Sequence, residues 1–511
     1  MERIARIHPA IGIARLGTSQ QPDGFFIGPE IPFHPVIPAT GFRDVDGALL
    51  RQGARFHVFL QETDGRVREL TRNEAEISWT VEVANRKAAA DRFHGVAEPN
   101  PGLRNSAFAR RDLLVLSAPK QTLTGFDQSV DFVNQTRFMD FDLPVTLATA
   151  KTDSEGNLIV LGGFGKSGSP NGTPLDSPGS NFANHDSWFD DTCDGCITAT
   201  ITMRDGSPSP PVLASWVLTA PPKFVPTAQP IVTLYDTLRQ VAIERRLLTD
   251  PFSDPAFKPS FTRDIFPIIA RALAVRWLWV PDGDQAPAAN FHNTMTTIPP
   301  TARNRIFGKL RKPAASPRQP GTGQGDMPRI WSDLYPDGKN GTLTPLQFRI
   351  MEEWKNGNFI DDLHGPPPME PFLTPEGLDR AALDTCVGAA FYPGIEVSWK
   401  ARDEFTFVEA FRLDAATVRP GDVTAQMSLP WQSDFLDCGV ESGNFGVDLT
   451  WWPAQRPLNV RQRADGPPVS WARSFDGPGD LTVEQMVTEW SRLGFVLPNG
   501  NALLETGRVD G

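Results

Sequence analysis

Cysteine is scarce in this chain, four residues among 511, and that alone excludes a disulfide-stapled scaffold. Cys193 and Cys196 form a C-x-x-C, but with no second pair and no adjacent histidine they fall short of a zinc site and read as a local disulfide or two free thiols. Cys386 and Cys438 stand alone, and a lone cysteine ordinarily serves as a small buried hydrophobe. Long apolar runs are missing too. The best candidate, 265–280, is broken by Pro267, Arg271 and Arg276, so nothing approaches the ~18–20 residues of a bilayer span. Met1–His8 has no secretory apolar core, which places the chain in the cytosol or on an export route without a recognisable signal peptide. There is no basic run, and the formal net charge is −12, which argues against nucleic acid or an anionic membrane surface as partner.

The common catalytic signatures are also missing. Leu161 to Gly168 ends in Gly165-Lys166-Ser167 but lacks the first glycine of a P-loop and its helix context. No G-x-G-x-x-G opens a βαβ unit, so neither NAD nor FAD is expected on this chain. Neither H-E-x-x-H nor G-x-S-x-G occurs, and the seven histidines show no ligand-spaced pair. His185 beside Asp190 and Asp191 offers metal ligands in principle; a polar loop that caps and turns is the ordinary alternative. A metal-dependent hydrolase built on these three stays as an alternative, as does a cofactor-free binding partner.

What is present reads as α+β, with a β-rich part over 1–220 and a mixed helical and irregular part over 221–511. Runs 55–60 and 66–70 flank Asp64-Gly65, a hairpin signal, and 145–150 with 157–161 repeat the pattern. A Gly/Ser/Pro/Asn-rich stretch over 162–184 reads as a long, functional loop. After Pro221-Pro222, helical spacing covers 231–248, 261–280, 301–310, 345–359 and 374–389. Residues 312–328 read as a connector and 391–399 as a turn followed by a strand. A last helix over 482–493 puts Met486, Val487, Trp490 and Leu493 on one face, with Gly494 as its stop. No internal repeat is evident.

Tryptophan is abundant, 13 against 3 tyrosines. Packing is the ordinary explanation, but the indoles gather near one thiol. Pro430 to Cys438 (PWQSDFLDC) puts Asp434 four residues before Cys438, and Trp451, Trp452, Trp471 and Trp490 follow. A thiol, an acid and an indole suffice to build a redox cofactor from side chains, and on spacing alone all four later indoles are candidates. An unremarkable reading makes Cys438 a buried thiol, Trp490 a core aromatic and Asp434 a capping residue.

Several segments together resemble the quinoprotein amine oxidases that include lysine ε-oxidase and glycine oxidase. They are 11–17 (IGIARLG), 26–30 (FIGPE), Asp190-Asp191, 220–222 (APP), 392–396 (YPGIE), 431–435 (WQSDF), 452–457 (WPAQRP) and the Trp-x-x-Leu-Gly-Phe at 490–495. The resemblance implies a cysteine tryptophylquinone (CTQ) formed by Cys438 and Trp490, with Asp434 as the acid serving cofactor formation and catalysis. It implies oxidative deamination of an amino acid or other primary amine, with O2 reduced to H2O2 and ammonia released. It also implies a flavin-dependent partner protein that installs the quinone, and it places Cys386, Tyr392, Trp431, Trp451 and Trp452 around the substrate. An assembly of identical subunits is left open. In one respect the chain departs from the family: no Lys or His follows Cys438, since the last of each are Lys400 and His364. Arginine binds carboxylates well and shuttles protons poorly, so lysine or glycine is not implied as substrate.

Overall fold

The computed structural model describes residues 2–92, 102–177, 183–275, 298–313, 327, 342–363, 373–388, 398–403, 405–437, 456–500 and 502–510. Its centre is a 14-stranded, mostly antiparallel sheet formed entirely from residues before 221. Along the main path the neighbours are Leu116–Ser117, Ala75–Asn85, Asp194–Met203, Ser215–Ala220, Ile11–Arg15, Arg51–Gln61, Leu158–Gly162, Thr146–Thr152 and Ser129–Val133. Both anticipated hairpins form: Arg51–Gln61 pairs with Val67–Glu69, and Thr146–Thr152 pairs with Leu158–Gly162. One junction on this path is parallel, Ser215–Ala220 against Ile11–Arg15.

Ile11–Arg15, Leu158–Gly162 and Ser215–Ala220 are buried at every residue, as strands covered on both faces must be. Side chains alternate between the faces. Ile11, Ile13, Trp216 and Leu218 pack with Leu234, Leu238, Leu383 and Cys386 of the helical part. Ala14 and Val217 join Phe56, Val81 and Leu147 in the opposite core. The α+β class follows from this arrangement: an all-β first part, with helices at Leu234–Glu244, Phe266–Ala274, Pro300–Phe307, Pro345–Asn356, Pro375–Leu383, Ser398–Asp403, Trp431–Asp437 and Val483–Glu489.

Helix starts follow local chemistry. Thr233, Thr344 and Thr482 each close a capping box with the third residue of their helix. Some expectations fail. The strand expected to end at Trp399 gives way to helix from Ser398; residues 391–397, and with them Tyr392, lie outside the described set, as does most of 312–328. The last helix stops at Glu489, and a tighter turn over Trp490–Arg492 continues it. Gly494 is not a left-handed cap: its role is close approach, since a Cβ there would lie 2.4 Å from Glu505 Cγ.

Candidate active site

Helix Trp431–Asp437 carries the sequence motif, and its start is fixed from below by Asp190. The Asp190 carboxylate accepts from the Trp431 backbone N–H at 3.1 Å, from Lys87 Nζ at 2.8 Å, from the Thr192 hydroxyl at 2.7 Å and from Asn85 Nδ2 at 3.0 Å. Lys87 also donates to the Ser428 carbonyl at 2.9 Å. Both partners of this ion pair are fully buried. Burial lowers the Lys87 pKa, and the adjacent Asp190 opposes the shift. An anion at a helix N-terminus is favourable in itself, and here it sets where the helix begins.

The approach to that helix is held by Arg104, whose guanidinium bonds Asn184 Oδ1 and the carbonyls of Lys87, Ala183, Ala425 and Met427. His185 engages the Leu429 carbonyl through Nδ1 at 2.9 Å, and burial holds its pKa below the usual value. These contacts answer the metal reading of His185, Asp190 and Asp191. Asp190 is saturated by donors, and among the described residues no group of three or more His, Cys, Asp or Glu is placed to hold a metal ion. Of the two readings of the C-x-x-C, the structure gives two free thiols: Cys196 lies on strand Asp194–Met203 and Cys193 directly before it. Burial pushes both thiols up, Cys196 to about 11.

Trp431, Asp434 and Phe435 follow helical i, i+3, i+4 spacing and share one side of the helix. All three are buried. The Trp431 ring meets Phe435 edge-on at 5.5 Å and Trp490 edge-on at 5.1 Å. Trp490 caps the end of the neighbouring helix Val483–Glu489, which packs against Trp431–Asp437, and only 3% of it is exposed. Its six-membered ring also meets Gly165. With φ +74° and a would-be Cβ 2.0 Å from Trp490 Cζ2, residue 165 admits glycine for two independent reasons. The loop bearing Gly165 is tied to the motif helix by Gln432, whose Nε2 donates to the Gly165 carbonyl at 3.1 Å and whose Oε1 accepts from the Ser167 hydroxyl at 2.7 Å.

Asp191 lies under the same loop, fully buried. Burial raises its carboxyl to about 7; the Asp190 charge adds to the shift, and the backbone amides of Phe164–Lys166 oppose it from outside hydrogen-bonding geometry. The structure thus brings Trp431 and Trp490 into contact, with Asp434 on the same side of the motif helix as Trp431. Cys438 directly follows the last described residue of the motif helix and, with Trp451 and Trp452, lies outside the described residues. Trp471 is committed elsewhere: its indole N–H donates to the Gly494 carbonyl at 2.7 Å, and its ring stands edge-on to Phe224 and Phe435. Cys386 is buried in the helical core, its Sγ 4.0 Å from Arg15 Nη2.

Sequence reasoning missed the Gly165–Gln432–Ser167 clamp and the Lys87–Asp190 pair. The Gly165-Lys166-Ser167 run was visible as a failed phosphate loop within the long loop 162–184, and nothing in the sequence marks Lys87.

Two family descriptions match in order along the chain, "L-Lysine epsilon oxidase N-terminal" over residues 8–219 and "L-lysine epsilon oxidase C-terminal domain" over residues 324–458. L-lysine 6-oxidase of Marinomonas mediterranea is 26% identical over 86% of this chain and 72% of its own length. The solved ε-lysine oxidase from the same organism aligns with 99% of this chain and 95% of its own, at TM-score 0.77 and 23% identity. A second structure of L-Lys ε-oxidase from that organism, described as the Schiff base intermediate with L-Lys, gives 0.76 over the same shares at 23% identity. At that identity the solved structures establish a shared fold, whereas the two matched domains, in order along the chain, establish kinship. The chain belongs to the L-lysine ε-oxidase family of amino-acid oxidases.

Proposed function

We propose that this protein oxidatively deaminates an amino acid or other primary amine through a quinone made from its own Trp490 and Cys438, reducing O2 to H2O2 and releasing ammonia. One observation carries the reading: the buried Trp490 indole packs against both Gly165 and Trp431, beside the helix that holds Asp434, with Cys438 next in sequence after that helix. The enclosure fits the group. A ring that must present one edge to a reactant needs its faces and tilt fixed, and here a glycine removes the atom that would displace it.

Cysteine tryptophylquinone, once formed, supplies an electrophilic carbonyl and a two-electron sink. The chain's own residues do the rest. Trp431 and Gly165 fix the ring plane. Asp434, on the side of its helix that bears Trp431, takes a proton from the carbon next to the substrate nitrogen, a positioned transfer worth about 10²–10⁴-fold. The surrounding apolar shell of Phe224, Phe435, Trp471 and Leu493 excludes water. Installation of the quinone by a flavin-dependent partner protein is part of the proposal.

Amine-dependent peroxide release by protein co-expressed with such a partner tests the reading. Asp434→Asn should cut turnover by about 10²-fold or more while leaving the protein folded. Unchanged turnover in that variant would remove Asp434 from the proposed role. The relatives named for lysine do not transfer their substrate. The six arginines after Cys438 replace any Lys or His there, and Arg473 and Arg492 are occupied by Glu505 and Glu489.

A further inference from the structure

Away from the indole site, a cleft opens between the end of strand Ile11–Arg15, the segment 26–36 and the turn after Ala220. It encloses about 460 Å3 of space, its open mouth included. Phe26, Phe42 and Phe495 form its apolar wall, with Phe42 and Phe495 stacked at 4.2 Å. Among the described residues, Arg15 and Lys223 are its charged lining residues, and no acidic side chain lines it. Phe224 stands between this wall and the motif helix, 4.8 Å from Phe495 and 5.8 Å from Phe435. The cleft therefore lies one aromatic layer from the helix that carries Asp434.

Lys223 is the unusual member. It is only 7% exposed, and its ammonium makes no hydrogen bond or ion pair with any described residue. A buried charge without a partner is costly, and the obvious carboxylate cannot supply one. Asp384 is near enough to influence Lys223 but is held by Arg271 at 2.7 Å and Arg380 at 3.3 Å. Arg15 is likewise braced, donating to the carbonyls of Pro221 at 2.7 Å and Thr385 at 3.1 Å. The result is a rigid, positively charged floor under an aromatic wall, with one ammonium held in reserve.

We propose that this cleft binds a small organic carboxylate, its head paired with the Lys223 ammonium and its apolar body lying along Phe26, Phe42 and Phe495. The site needs neither Cys438 nor a modified Trp490, so it stands or falls apart from the quinone reading. Two sources offer that chemistry: the carboxylate of an amino acid, and an acid that carries no amine.

Binding to the full-length, unmodified protein tests the site directly, by calorimetry with phenylacetate and its neutral isostere phenylacetamide. Phenylacetate should bind saturably and the amide far more weakly. Lys223→Met should weaken the acid about tenfold or more, the scale of one charge-assisted hydrogen bond. Competition separates the sources: displacement of phenylacetate by L-phenylalanine marks a site that accepts amino acids, and resistance marks one kept for amine-free acids; both outcomes support the cleft. The wild-type protein gives a second readout that requires no variant. Burial, reinforced by Arg15 and Arg271 and opposed by Cys386 and Asp384, pushes Lys223 down to about 7, so affinity for the acid should be greatest below that pH and fall as pH rises through it. Equal binding of acid and amide, a pH-independent affinity, undiminished binding by Lys223→Met, or no saturable binding in the millimolar range would overturn the proposal.

Discussion

Replacing Gly165 by alanine should damage the indole site more than its single added methyl suggests. Two costs are separable. The backbone sits at φ +74°, where an L-residue with a Cβ pays roughly 1–2 kcal/mol. The added Cβ would also lie 2.0 Å from Trp490 Cζ2, against an ordinary carbon contact of about 3.5–4.0 Å. The ring or the loop must then move by about 1.5 Å, and overpacking of that kind costs about 1–3 kcal/mol. Together the loss is about 2–5 kcal/mol, a large part of a stability of roughly 5–15 kcal/mol. The displacement should matter still more for chemistry, since a 1 Å misplacement can cost about 10²-fold in rate.

Gly172 provides the control. It has the same φ of +74°, and nothing lies within 4 Å of its would-be Cβ, so Gly172→Ala carries the backbone cost alone. Both variants would be co-expressed with the proposed flavin-dependent maturation partner and compared by urea unfolding, intact mass and amine-dependent peroxide release. Gly165→Ala should lose quinone content and turnover while Gly172→Ala keeps both. Equal behaviour of the two would refute the claim that Gly165 holds the indole.

Other expectations are simpler to check. Lys87→Met should destabilise by about 3–5 kcal/mol in urea unfolding by stranding the buried Asp190 charge, and adding Asp190→Asn should recover part of it. Gln432→Ala removes two hydrogen bonds between the motif helix and the Gly165 loop, at about 1–3 kcal/mol in the same measurement. Asp191 titrates near 7 when folded and near 4 when unfolded. Its folded form holds the proton more tightly, so its contribution to stability is complete below pH ~4 and is lost as pH rises to about 7. Asp191→Asn should therefore flatten the stability–pH curve across that window, and an unchanged curve would show that Asp191 is not protonated there.

How much of this was legible in the sequence depended on the range of the interaction. The hairpins at Asp64-Gly65 and 153–156, and the capped helix leading to Trp490, are written in local turn and capping chemistry, and they appear as expected. The burial of Trp490 followed from its spacing with Met486 and Leu493. The supports of the site did not, because they join residues far apart in the chain. Lys87 meets Asp190, and Gln432 meets Gly165, only once the sheet is assembled, and neither residue type announces such a role. Gly494 misled in a different way: a glycine after a helix usually marks a left-handed cap, but this one makes room for Glu505. The C-x-x-C left a local disulfide and two free thiols open on spacing alone, and the structure decides for the free thiols.

The central claim is that Trp490 and Cys438 become one redox group. Peptide mapping and intact mass of protein co-expressed with the proposed maturation partner, and shown to release peroxide with an amine, test it most directly. The account predicts that the peptides carrying Cys438 and Trp490 are joined, with two oxygens gained and four hydrogens lost, about +28 Da in all. Unjoined, unmodified peptides at both positions in such an active preparation would contradict it.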